Sequence, residues 1–389
     1  MKRTKVMFMI DNLSGGGAEK VLSVIVRHLD KERFDVRVCC VYNDGVYVDE
    51  VKNHATFSSL LPSIKSKGWR RLFYRLKSRL IFSSLPPMWT YRLFVPKGND
   101  VEVAFLEGLS TRILAYSTNR QAMKVAWVHS DQSVEHWTEM FYKNYEEERQ
   151  AYQIFDRVVS VSRGVKSGIE QVFGPSAKNI VLHNPIESDV IKAQSRSYLP
   201  VAKDVQVRMV TVGRLHPQKA FERLLHIVNR LCKERYSVEL WILGDGQDRE
   251  ALKAYIKAEQ LEQAVKLWGF RDNPYSYMAQ CDLFVCSSLC EGYSTAVAEA
   301  LILGLPVVTT DCSGMDELLG NGEYGLITEN SEEALEQGLR QILDMPGMLE
   351  EYRRKAVKRG TDFSLEALMK PIESLLLEKK ETMEKEGTL

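Results

Sequence analysis

Residues 283–309 read LFVCSSLCEGYSTAVAEALILGLPVVT, and this stretch decides the fold class. It opens on a short apolar run, Leu283–Cys286, and passes through a polar turn into helical periodicity over Thr295–Leu303. A second apolar run follows at Pro306–Thr309. Strand, helix and strand in so short a window make a right-handed βαβ unit, with parallel strands covered on both faces.

The same alternation runs outward in both directions. Strands are expected at Val6–Ile10, Val36–Val41, Val101–Phe105, Lys124–Val128, Val158–Val161 and Ile180–Leu182, then at Arg208–Val212, Val238–Leu243 and Ala264–Leu267. Helical periodicity lies between them, as in Ala18–Leu29, Ala220–Cys232, Glu332–Leu343 and Leu365–Lys380. The turn initiator Asn184-Pro185 and the run-free stretch after it divide the chain. The expected layout is a domain over 1–186, a linker over 187–206, a second domain over 207–362, and a terminal helix near 363–389 that could return to the first domain. Ligands of open α/β sheets bind beyond the carboxyl ends of the strands. Two such domains facing each other would enclose a deep cleft.

Composition narrows the class. With 389 residues, 44% hydrophobic and 27% charged, the chain has enough material for two globular cores. Seven cysteines are scattered without a disulfide framework, and Cys281, Cys286 and Cys290 lack zinc spacing, so they are read as core residues. The apolar run that ends at Asp11 is too short for a signal peptide, and no stretch is long enough to span a membrane. A cytoplasmic location is therefore expected. The zero net charge hides +7 over residues 1–195 and −7 over the rest, so the two halves are expected to face different partners.

Three loops carry the chemistry. Asp11-Asn12-Leu13-Ser14-Gly15-Gly16-Gly17 follows the first strand and opens a helix, either as a flexible turn or as a seat for an oxyanion on free N–H groups. Its spacing is not that of a dinucleotide fingerprint. Gly213-Arg214-Leu215-His216-Pro217-Gln218-Lys219 offers a guanidinium fork and an ammonium, suited to a diphosphate or simply a solvated basic turn. In Glu291-Gly292-Tyr293-Ser294-Thr295-Ala296-Val297-Ala298-Glu299 the two carboxylates are at most ~12 Å apart if Ser294 or Thr295 caps a helix. That spacing suits a ribose at one end and a sugar at the other, with backbone N–H groups between them.

These residues resemble the family-4 retaining glycosyltransferases of the GT-B fold, an architecture of two facing Rossmann-like domains. The carriers are GRLHPQK, the turn Leu243-Gly244-Asp245-Gly246, Trp268-Gly269-Phe270, CSSLCEGYSTAVAEALILGLPVVTTD and Gly314-Met315-Asp316-Glu317, in the family's order over 208–330. The first half adds GGGAEKVL, WVHSD, VVSVSRGVK and HNPIE, and region 45–100 is unmatched. The resemblance implies that Arg214 and Lys219 neutralise the donor diphosphate, Glu299 binds the ribose, and Glu291 holds the transferred sugar. It further implies that the backbone around Gly269 and Phe270 receives the base, that His129 contacts the sugar, and that Gly16 and Gly17 lie close to diphosphate or acceptor. Gly213, Gly244, Gly292, Tyr293, Ser294 and Thr295 complete the expected donor site. Two departures stand out: Ala220 where the family usually has glycine, and Tyr293-Ser294 where Phe-Gly or Phe-Pro is common.

From Val51 to Asn99 the chain has no acidic residue and ten Lys+Arg. Lys65, Lys67, Arg70, Arg71, Arg75, Lys77 and Arg79, with Trp69 among them, fit an anionic membrane interface. Nucleic-acid binding and a solvated basic face are the competing readings, and no nucleic acid is expected. The combined expectation is a hexosyl- or N-acetylhexosaminyl-transferase that retains configuration and needs neither metal nor cofactor. Its donor is a nucleotide-sugar, with UDP the expected carrier. Its acceptor is a membrane-associated or lipid-linked glycan of cell-surface polysaccharide or glycolipid biosynthesis, met at the inner face of the plasma membrane. A nucleotide-sugar epimerase of the same architecture and a non-catalytic subunit of a glycan-assembly complex are the alternatives. The sequence sets no oligomeric state.

Overall fold

The computed structural model describes residues 2–63, 74, 75, 77–79, 81, 85–197 and 204–386. The chain divides into two compact units, Met1–Pro185 with Glu366–Leu389, and Ile186–Leu365.

The first unit holds a seven-stranded sheet of β1 (Thr4–Ile10), β2 (Phe34–Tyr42), β3 (Thr56–Leu61), β4 (Val101–Ala104), β5 (Met123–Val128), β6 (Arg157–Ser160) and β7 (Asn179–Val181). Its order is β3-β2-β1-β4-β5-β6-β7, with every pairing parallel. Helices cover both faces of such a sheet, so a central strand is apolar throughout rather than alternating, and Val6 to Ile10 are fully buried. The helix Leu365–Glu386 belongs to this unit. Its Ile372 and Leu376 are buried, and Glu373 and Glu378 pair with Arg33 and Arg157.

The second unit holds a six-stranded parallel sheet of β8 (Val207–Val212), β9 (Val238–Leu243), β10 (Val265–Gly269), β11 (Leu283–Cys286), β12 (Val307–Thr310) and β13 (Leu326–Thr328), in the order β10-β9-β8-β11-β12-β13. The helix Phe221–Lys233 lays Leu224, Leu225, Ile227, Val228 and Leu231 on this sheet, at helical spacing. At the far end of the strands Arg208 is buried against Glu239 at 2.6 Å and stacks 4.4 Å from the Trp241 ring.

In each sheet the order reverses beside the first strand, between β1 and β4 and between β8 and β11. Loops leaving two such strands diverge to opposite faces and open a crevice at the carboxyl ends. The loop of Gly213 to Lys219 leaves β8, and the loop of Ser287 to Glu291 leaves β11.

Three features differ from the sequence expectation. Strands β3 and β13 were not anticipated; both lie at sheet edges, and β13 has only three residues. The stretch 187–206, expected to be a linker, carries the helix Ser188–Ser195, which seats Ile191 in the second unit. One buried residue per two turns left no long apolar run to read. The first strands also extend a residue or two beyond their apolar cores, as β1 does at Thr4.

Candidate active site

Hydrogen bonds join the loops at the β8–β11 switch point. The Leu289 N–H donates to Gln218 O at 2.8 Å, Ser287 Oγ to Lys219 O at 2.8 Å, and Gln218 Nε2 to Cys290 O at 3.1 Å. The Lys219 stem lies over Gly213, where a Cβ would meet Cδ and Cε at 3.7 Å. Its Nζ reaches Glu291 Oε1 at 2.6 Å, and Ser288 Oγ donates to that same oxygen at 2.6 Å. Glu291 is 9% exposed, and among the described residues its Oε2 accepts no hydrogen bond. Burial works against the Lys219 charge, but the adjacent Glu291 carboxylate outweighs it and holds the ammonium pKa above its usual value.

Lys219 is positioned by a short 3-10 turn, Pro217–Lys219, that ends on Ala220 at φ 47° and ψ 44°. This is the left-handed region, which disfavours any residue with a Cβ. The departure from glycine at Ala220 is therefore a strained one.

The helix Thr295–Ile302 begins at Ser294, whose side chain caps none of its N–H groups. Glu299 is 4% exposed on this helix, and the Tyr275 hydroxyl donates to its Oε1 at 3.4 Å. Tyr293 is buried, and burial pushes its hydroxyl pKa up. Gly292 and Thr295 flank this buried pair in the same loop and first turn.

Beside these loops the ends of β8, β9 and β10 meet through backbone. The Gly244 N–H donates to Gly269 O at 2.9 Å, and a Cβ on Gly244 (φ +140°) would sit 1.8 Å from Gly213 O. Only glycine fits there. Phe270 is 50% exposed next to Gly269, and Arg214 is exposed on the loop whose Leu215 N–H donates to Asp245 O at 3.0 Å.

In the first unit, Gly16 and Gly17 open the helix Gly17–His28, and Gly16 occupies the cap position with extended backbone. The positive φ falls on Gly15, at 100°. Gly45 approaches this loop so closely that a Cβ would lie 1.9 Å from the Leu13 carbonyl. His129 follows β5, with its ring centroid 5.0 Å from that of Phe105. Its Nε2 is buried without a protein partner among the described residues, and burial pushes the imidazole pKa down to about 3. Glu107 accepts the His129 N–H at 3.1 Å and the Ser130 hydroxyl. Asp11 follows β1 and accepts from Ser110 Oγ at 2.5 Å, while burial pushes its carboxyl pKa up to about 6.

The structure thus joins Lys219 and Glu291 through side chains, lays the Lys219 stem over Gly213, and joins Gly213, Gly244 and Gly269 through backbone. Glu299 shares the loop and helix that follow Glu291, whereas His129, Gly16 and Gly17 stand on the other sheet. Ser288, Tyr275 and Gly45 were not singled out from sequence. A lone serine or tyrosine carries no pattern, although Asp44-Gly45 is a turn signal that could have been read. Of the expected membrane-contact residues, Lys65, Lys67, Trp69, Arg70 and Arg71 lie outside the described residues. Arg75 and Arg79 are exposed, whereas Lys77 lies half-buried with its Nζ 4.8 Å from the centre of the Phe94 ring.

Residues 200–362 match the family model described as Glycosyl transferases group 1, and residues 15–190 match Glycosyltransferase Family 4. A Campylobacter jejuni protein named N-acetylgalactosamine-N,N'-diacetylbacillosaminyl-diphospho-undecaprenol 4-alpha-N-acetylgalactosaminyltransferase is 34% identical over 215 residues, 54% of this chain and 57% of that one. The lipopolysaccharide core biosynthesis glycosyltransferase LpsE of Rhizobium meliloti is 29% identical over 205 residues, 51% of this chain and 58% of its own. The chain therefore spans less than two thirds of the length of these curated relatives. Among solved structures, Anabaena HepE in complex with UDP-glucose superposes with a TM-score of 0.75 at 21% identity, covering 96% of this chain and 99% of that one. Sucrose-phosphate synthase from Thermosynechococcus elongatus gives 0.76 at 15% identity, covering 96% and 98%. With both sheets and both family models in register along its length, the chain belongs to the family-4 glycosyltransferases and has the GT-B fold.

Proposed function

We propose that this protein is a metal-independent, retaining glycosyltransferase that moves a hexosyl or N-acetylhexosaminyl group from a UDP-sugar to a lipid-linked or membrane-associated glycan. The observation that carries the reading is the Lys219–Glu291 pair at the switch point of the second sheet, with one carboxylate oxygen engaged and the other unmatched. Lys219 and Arg214 neutralise the diphosphate as it departs, and the Glu291 Oε2 accepts hydroxyls of the sugar. Cations aimed at charge that develops in the transition state supply the largest part of such catalysis. The N–H groups at Gly292 to Thr295 add to them without a metal ion, and Glu299 takes the ribose hydroxyls. No carboxylate is assigned as a covalent nucleophile, so the acceptor attacks on the face the leaving group vacates, and the departing phosphate takes its proton. In the first unit, the unprotonated His129 Nε2 suits a sugar hydroxyl as donor.

The printed names of the relatives include a diphospho-undecaprenol acceptor and a lipopolysaccharide core, which support a lipid-linked acceptor here. No helix among the described residues is long and apolar enough to cross a membrane. Reversible contact with anionic lipid is instead assigned to the acid-free segment, where Arg75 and Arg79 are exposed together with Trp89 (44%) and Leu93 (58%).

The test is transfer from a panel of UDP-sugars to a membrane lipid extract, with and without EDTA, followed by NMR of the anomeric proton in the product. The reading requires chelator-resistant transfer with the donor's configuration kept. An inverted product or a strict metal requirement refutes it.

A further inference from the structure

The loop ends of β9 and β10 contain an arginine that the phosphate and sugar assignments leave unused. Arg249 begins the helix Arg249–Ala258 after β9, and its guanidinium lies against Gly269 at the end of β10. A Cβ on Gly269 would meet Nη1 at 3.2 Å, Nη2 at 3.6 Å and Cζ at 3.8 Å, so the guanidinium turns its Nη1–Nη2 edge towards that glycine. Gly269 also holds φ +74°, so the position is closed to other residues both by its backbone and by the arginine above it. The neighbouring carboxylate is Asp245, 3.5 Å from Nη1, too loosely placed to satisfy it. Nη1 is buried without a hydrogen-bond acceptor among the described residues.

A buried guanidinium nitrogen without an acceptor is costly and marks a place where a ligand atom belongs. Resting on the nucleotide-sugar reading above, we infer that Arg249 reads the base of the donor, donating to a keto oxygen at the edge of the ring. Arginine has only donors at its tip and cannot be deprotonated. It therefore donates to the 4-keto oxygen of uracil or the 6-keto oxygen of a purine, and it disfavours the amino group that cytosine or adenine presents at the same place. Phe270, half exposed beside it, supplies an apolar surface for the ring. The glycine at 269 lets the arginine tip lie close to the end of β10, and Asp245 stays 3.5 Å from Nη1.

The experiment compares matched nucleotides that differ at this atom: UDP against CDP, and IDP against ADP, by calorimetric titration of the whole chain. The wild type should favour the keto member of a pair by at least about tenfold. In Arg249→Gln, whose amide can donate or accept, and in Arg249→Met, which does neither, that preference should collapse to within about threefold through loss of keto-base affinity. The melting temperature of each unliganded variant establishes that it is folded, and Arg249→Lys should recover part of the preference. Arg249 variants that bind UDP and CDP with the wild-type ratio overturn the inference while leaving the nucleotide site intact. A wild type that binds none of the four overturns the site reading as well.

Discussion

Lys219 Nζ and Ser288 Oγ converge on one oxygen of Glu291, each at 2.6 Å, and the second oxygen accepts no hydrogen bond among the described residues. Removing the ammonium leaves a buried carboxylate without its partner and, on the proposed function, a diphosphate without its counter-charge. Lys219→Ala and Arg214→Ala should each reduce kcat by about a hundredfold or more, as loss of a developing-charge stabiliser does. Steady-state rates within a factor of about three of wild type in either variant would remove the phosphate assignment.

Glu291→Ala and Glu299→Ala should separate kinetically. The first should lower kcat with little change in donor affinity, and the second should weaken UDP binding by roughly tenfold, the loss of one charge-assisted hydrogen bond. Tyr275→Phe, which removes the hydroxyl behind Glu299, should raise the donor KM slightly with kcat intact. Titration with UDP beside initial-rate kinetics reads both quantities, and a reversed pattern would exchange the two roles.

Ala220 offers a test on stability alone. Left-handed backbone costs a residue with a Cβ about 1–2 kcal/mol, and glycine recovers that at about 0.4–1 kcal/mol of extra unfolded-state entropy. Ala220→Gly should therefore stabilise the second unit by about 0.5–1 kcal/mol, a rise of roughly 1–4 °C in its melting temperature. Calorimetry checks this, and a lowered melting temperature would contradict the assigned strain.

Two buried groups in the first unit should respond to pH in opposite senses. Asp11, raised to about 6 by burial, favours its protonated form in the fold; that stability is present below the ordinary carboxyl range and is lost as pH rises through about 6. His129, lowered to about 3, favours its neutral form; that stability is present above the ordinary histidine value and is lost as pH falls towards about 3. Between about pH 4 and 6 the two slopes oppose each other. Asp11→Asn should raise stability near neutrality by up to about 3 kcal/mol and leave a fold that weakens on acidification. His129→Gln should leave one that strengthens on acidification. Urea unfolding followed by tryptophan fluorescence at several pH values reads both, and slopes of the same sign in the two variants would refute the pairing.

The proposed membrane contact rests on charge. Reversing Arg70, Arg71, Arg75 and Arg79 should release the protein from anionic vesicles, at about 1 kcal/mol for each basic residue lost from the surface. Sedimentation with phosphatidylserine vesicles measures the partition, and unchanged binding would exclude this segment.

The fold was legible in sequence wherever strands are buried on both faces. Val6–Ile10 and Leu240–Leu243 are unbroken apolar runs because helices cover both sides of them, and no surface requirement interrupts the pattern. Edge strands lack that signature. In β3 three consecutive positions, Phe57 to Ser59, are only half-buried, and β13 is half-exposed throughout. Of the candidate site, Lys219, Glu291 and Glu299 were legible as charged residues at fixed spacing in or beside the loops, and the structure joins Lys219 to Glu291. Ser288 and Arg249 were not legible, because their roles depend on which strand ends become neighbours. That adjacency is set by sheet order, β10-β9-β8-β11, and no local pattern encodes it.

The terminal helix gives the chain a temporal asymmetry. Residues that bury Ile372 and Leu376 and pair with Arg33 and Arg157 are made after the whole of Ile186–Leu365. During synthesis the second sheet can close its core while the first, though begun earlier, still waits for its last piece. The half that emerges first is thus the half completed last.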